Sequence, residues 1–170
     1  MRDESRPDPK KAEKRDKLIA SLFEELCQSE RSAELHGERE ANRLADGAPA
    51  QALREIVAHA TRVNRELEGL AKKEKLPRGR LGRLVGRMFS FARQTVVDRL
   101  IDEERSYRGT LLGFHHGADV VRMLRHVADA SGRVEIGGFC TRWLEEREPM
   151  IAKAEQAMSW FAHHPAAALA

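Results

Sequence analysis

The sequence predicts an all-α protein, an up-and-down antiparallel bundle of four to five long helices. Three observations carry this. No alternating run of β-branched residues bounded by turn signals occurs in the chain. Apolar residues instead recur at three- and four-residue spacing along most of its length. The main breakers, around Pro49, Pro77, Gly132 and Pro165, cut the chain into helix-length pieces joined by short connections. Short connections make successive helices antiparallel neighbours.

The first helix is predicted to start after Pro9, with Ile19, Leu22, Phe23, Leu26, Ala33, Ala41 and Leu44 on one stripe, and to stop near Gly47. The second spans about 51–74, with Leu53, Ile56, Val57, Ala60, Val63, Leu67, Leu70 and Ala71 in a near-heptad seam. Pro77 and Gly79 mark the next boundary. A third helix carries Leu81, Leu84, Val85, Met88, Ala92, Thr95, Val96 and Leu100, with a bend expected near 106–109. The fourth runs on to Ala130 and ends at Ser131-Gly132. The last starts near Gly137 or Gly138, carries Phe139, Trp143, Leu144, Ile151, Ala154, Met158 and Phe161, and stops at His163. Residues 1–10 and 165–170 are expected to be tails around a single domain at 11–164. Gly109, Gly113 and Gly117 share one face of the fourth helix, which suits close helix packing, a local bend, or backbone approach by a ligand.

Composition narrows the function classes. At 170 residues, 41% hydrophobic and 34% charged, the chain can bury a substantial core. No apolar run approaches the roughly 20 residues of a membrane span. The charged start "MRDESRPDPKK" lacks the apolar stretch of a signal peptide. Two cysteines, Cys27 and Cys140, make neither a disulfide scaffold nor a zinc motif, and the expectation is a cytoplasmic protein with reduced thiols. A net charge of +3 is too small to argue for nucleic acid by itself.

Metal and nucleophile motifs are weak. His36 with Glu40, Glu55 with His59, and His115 with Asp119 have one-turn spacing, but chance explains such pairs among so many acids. Arg108, His115, Asp119, Arg122 and His126 form a stripe expected to face solvent. His59 and His116 sit at core boundaries and read as hydrogen-bonded structural residues. The long helices resemble ferritin-like and hemerythrin-like bundles in architecture only. A ferritin-like site needs two E-x-x-H motifs, and the chain has none. There is no G-x-S-x-G and no P-loop. No cofactor and no metal are therefore expected, and both cysteines read as small core residues.

Polar residues on apolar stripes are the sharper anomaly. Glu30 interrupts the first seam, Arg99, Glu103 and Tyr107 continue the third, and Arg147 falls between Trp143 and Met150, close to Pro149, where a kink is expected. Buried charges must pair, so these five predict a salt-bridge layer fixing register, or helix ends where they already meet water, or else a polar pocket for a small anion with the two arginines as forks.

The second anomaly is "KKEKLPRGRLGRLVGR", residues 72–87, with seven basic residues and one acid. Leu81, Leu84 and Val85 face inward, which puts Arg80, Arg83 and Arg87 on the outer face, while Lys72, Lys73, Lys75 and Arg78 crowd the adjoining helix end and turn. Arginines at a helix start oppose its dipole, and an anion bound there would relieve that opposition. Without aromatic or amide side chains the stretch cannot read bases. It is either a solvated turn or a docking surface for an acidic protein, a nucleic-acid backbone or anionic head groups.

The expected function is a non-catalytic, cytoplasmic interaction or scaffold bundle. A homodimer is expected because Leu111, Leu112 and Met123 fall outside the main apolar face. The rivals are a sequence-independent nucleic-acid-associated protein, and a metal- or small-anion-binding bundle, enzymatic or not, built on the inward polar residues.

Overall fold

The computed structural model describes residues 9–44, 46–76 and 102–168. The predicted third helix lies outside them, and so do Arg78, Arg80, Arg83, Arg87 and Arg99. The described residues form an all-α bundle without a strand.

Helix α1 spans Pro9–Arg43 and α2 spans Ala48–Lys73. Pro49 sits in the first turn of α2, where its missing N–H costs nothing. At the other end Leu76 N–H donates to Ala71 O at 3.0 Å, and Lys75 takes the left-handed φ of 53° that such a closure needs. Helix α3 spans Glu103–Ala130. It begins before the bend expected at 106–109, because Asp102 stands extended ahead of two glutamates that suit the positive end of the dipole. Gly132, at φ 66°, closes α3 with Arg133 N–H on Ala128 O at 2.9 Å.

Helix α4 spans Val134–Gln156, starting before the expected glycines and continuing through Pro149. The expected single last helix breaks instead at Ala157–Met158. A short α5, Ser159–His163, and α6, Pro165–Ala168, follow, so helix extends into both expected tails.

The four long helices form a ring in which α1 packs on α2 and α3, and α4 packs on α3 and α2. Each of these neighbours is antiparallel. Arg15 near the start of α1 meets Ala130 at the end of α3, while Glu40 near the end of α1 meets Ser106 at the start of α3. Glu55 meets Lys153 and Arg62 meets Glu146 across α2 and α4. Helices α1 and α4 are therefore parallel diagonals. The core between them includes Ile19, Phe23, Leu26, Leu53, Ile56, Val121, Leu124, Ile136 and Cys140.

Two sequence expectations on α3 hold only in part. Among the described residues nothing lies near a Cβ built at Gly109 or Gly113, and Gly117 alone of the three marks a close approach, since a Cβ there would lie 2.5 Å from Ser29 Oγ. Three glycines at four-residue spacing share a face, but the face drifts about 40° per turn of that spacing, and only its far end meets α1. Leu111 is buried in the core, leaving Leu112 and Met123 exposed.

Candidate functional site

The centre of the bundle holds a charge cluster drawn from three helices. Glu30 is on α1, His59 on α2, and Trp143 and Arg147 are one turn apart on α4; all four are buried. Arg147 Nη2 donates to Glu30 Oε2 at 2.5 Å, and its Nε donates to His59 Nδ1 at 3.0 Å. The guanidinium also lies over the Trp143 ring, 5.0 Å from its centroid.

This arrangement assigns the histidine tautomer. Arginine can only donate, so His59 Nδ1 accepts and Nε2 carries the proton. Nε2 lies 3.2 Å from Glu146 Oε2 without the alignment of a full hydrogen bond. Glu146 is in turn held by Arg62 at the surface. Polar groups thus run from Glu30 through Arg147, the neutral His59 and Glu146 to Arg62, with opposite charges on the two sides of the histidine. Burial raises the Glu30 pKa, and Arg147 offsets part of that rise. Burial, then Arg147 and Arg62, push His59 down to about 4, against the opposing pull of Glu146. The Arg62 hydrogen bond holds Glu146 below the usual carboxylate range. A cavity of about 40 Å³ adjoins His59, Arg62, Trp143 and Glu146.

The five predicted inward residues do not form one layer. Glu30 and Arg147 meet. Tyr107 is buried seven residues along α4 from Arg147, where its hydroxyl donates to Ala154 O at 2.7 Å. Glu103 is only half-buried in the first turn of α3 and joins no central pair. That turn is a helix end, where a carboxylate meets water. Arg99 lies outside the described residues. The hydroxyl of Ser106 donates to a second buried carboxylate, Glu40, at 2.7 Å, while Glu40 Oε1 has no partner among the described residues. Burial raises the Glu40 pKa, and Ser106 offsets part of the rise.

His59 was legible as more than a boundary residue: it stands three residues after Ile56 and four before Val63, on the α2 seam itself. Glu40 gave less signal, being one of many acids on α1. The outward stripe of α3 is confirmed in kind. His115 pairs with Glu155, and Arg122 pairs with Asp119 and Glu148, at the half-exposed rim between α3 and α4. His116 is also exposed, facing Glu25 at 3.0 Å. Burial pushes the thiols of Cys27 and Cys140 up to about 11 and about 12, so both stay protonated near neutrality. Among the described residues, no group of three or more His, Cys, Asp or Glu is placed to hold a metal ion.

Of the basic stretch, Lys72, Lys73 and Lys75 lie exposed at the closing turn of α2. Lys73 reaches Glu135 at the start of α4, 2.7 Å away. No described helix is long and apolar enough to cross a membrane. No known protein family, curated protein or solved structure matches the chain, so the meaning of these residues rests on their own geometry.

Proposed function

We propose that the protein is a non-catalytic, cytoplasmic interaction or scaffold module that docks an acidic partner on the basic stretch at 72–87. The observation that carries this reading is the exposure of Lys72, Lys73 and Lys75 together at one end of the bundle. Lys75 occupies a left-handed position where glycine would be less strained, so a cation stands there at a conformational cost.

The central cluster supports a structural role for the inward charges. Arg147 spends its donors on Glu30 and His59, and Tyr107 spends its hydroxyl on a backbone carbonyl. The adjoining cavity of about 40 Å³ suits a water molecule. It is far below the several hundred Å³ of ordinary small-molecule sites. Self-association belongs to the same reading, through Leu112 and Met123, which are exposed three helical turns apart on α3.

Retention on immobilised polyglutamate and on immobilised duplex DNA, measured against salt, tests the docking surface. Replacing Arg80, Arg83 and Arg87 with Gln should bring elution to lower salt with the helical content unchanged. Unchanged elution of this triple variant, and of a Lys72→Gln/Lys75→Gln variant, from both matrices would refute the reading.

A further inference from the structure

Two basic segments far apart in sequence meet at one end of the bundle. Arg133, in the turn between α3 and α4, donates to Asp16 of α1 at 2.8 Å and to Glu74, just past α2, at 3.2 Å. Residues 16 and 74 therefore lie within reach of a single guanidinium. Arg15 pins the same end by donating to Ala130 O at 3.0 Å. Around these pins, residues 10–17 carry Lys10, Lys11, Lys14, Arg15 and Lys17, and residues 72–75 carry Lys72, Lys73 and Lys75.

The acids of the two segments are already engaged. Glu13 holds Lys17 at 2.6 Å, and Asp16 and Glu74 share Arg133. Lys73 is occupied by Glu135. Lys11, Lys14, Lys72 and Lys75 are exposed, and among the described residues they make no ion pair. The first buried residue of α1 is Ile19, so the preceding turns form a lysine-bearing arm roughly 15 Å long at ~1.5 Å per residue, pinned to the bundle near its base by Arg15 and Asp16.

We infer that this end of the bundle binds the phosphate backbone of nucleic acid, irrespective of sequence, through Lys11 and Lys14 of α1 with Lys72 and Lys75 at the end of α2. This rests on the docking reading of 72–87 and extends it to a segment more than fifty residues away in the chain. Ammonium groups are compact point charges that attract phosphates without a fixed approach geometry, which suits binding along a strand irrespective of sequence. No aromatic residue lies in either segment, so stacking on bases is not available. A lipid surface would also want large apolar side chains among the lysines. On the arm only Leu18 is exposed in that way.

Fluorescence anisotropy with a short random-sequence DNA duplex tests the inference. Log affinity of the wild-type chain should fall linearly with log salt between about 50 and 200 mM. Lys11→Gln/Lys14→Gln and Lys72→Gln/Lys75→Gln should each make that slope shallower by up to about two units, near 0.9 per lost contact. Circular dichroism should show both variants folded, since all four side chains are exposed. Duplex binding unaffected by the α1 pair overturns the inference, as does tighter binding to phosphatidylserine vesicles or to polyglutamate than to the duplex at equal salt. If polyglutamate retention still depends on 72–87 in that case, the docking reading survives without nucleic acid. If no polyanion is held through 72–87, both fail.

Discussion

Arg147 of α4 and Glu30 of α1 pair at 2.5 Å across the diagonal of the bundle, with both side chains almost fully buried. Removing one partner strands the other charge in the core. Arg147→Met should therefore destabilise the fold by about 3–5 kcal/mol, while Glu30→Leu/Arg147→Met together should recover most of that loss. Urea unfolding of the two singles and the double measures the coupling. Additive losses would show that the pair is not the unit that matters.

His59 makes stability depend on pH. Its folded pKa of about 4 lies below the ordinary value of 6.5, so the unfolded chain takes up the proton first. The stability that neutral His59 contributes is complete above 6.5 and is lost as pH falls from there through about 4. At 1.36 kcal/mol per unit, this amounts to roughly 3 kcal/mol at most. His59→Asn keeps an acceptor for Arg147 but cannot titrate, and should flatten the unfolding midpoint over this window. A profile as steep as wild type would mean that other groups set it.

Glu40 acts with the opposite sign. Burial raises its folded pKa, so protonation as pH falls from that pKa toward 4.5 favours the folded state. Glu40→Gln should raise stability by about 1 kcal/mol at pH 8, because the buried negative charge is removed, and change it little at pH 4.5. Thermal melts at the two pH values check this.

Gly117→Ala should cost about 1 kcal/mol, since the new methyl would press on Ser29 Oγ at 2.5 Å. In a Ser29→Ala background the same change should become neutral or stabilising. The hydroxyl is gone, the Ser29 Cβ lies 3.6 Å from the new methyl, and alanine is the better helix former. Denaturant titration of the four proteins decides it.

Lys75→Gly should move stability and binding in opposite directions. Relief of the 53° φ should add about 1 kcal/mol, while loss of the cation should weaken duplex retention. A variant that loses stability would show that Lys75 makes a contact worth more than the strain.

The all-α class and the seams of α1, α2 and the described part of the chain beyond were readable from periodicity, because burial of one helix stripe repeats locally and needs no knowledge of partners. Ile19, Phe23, Leu26, Leu53, Ile56, Val63 and Leu67 all lie where their spacing puts them. Glu30 and Arg147 were legible for the same reason: a charge on an apolar stripe is visible without a structure. Only the tertiary structure decided that they pair with each other, with His59 as a third member, since three helices contribute and nothing local links residues 30, 59 and 147. Helix boundaries were likewise out of reach: Glu103 and the glycines of α3 depended on where that helix begins and which stretch of it meets α1. The basic end shows the same limit, because the two long-range ion pairs by which Arg133 ties Asp16 to Glu74 leave no period in the sequence.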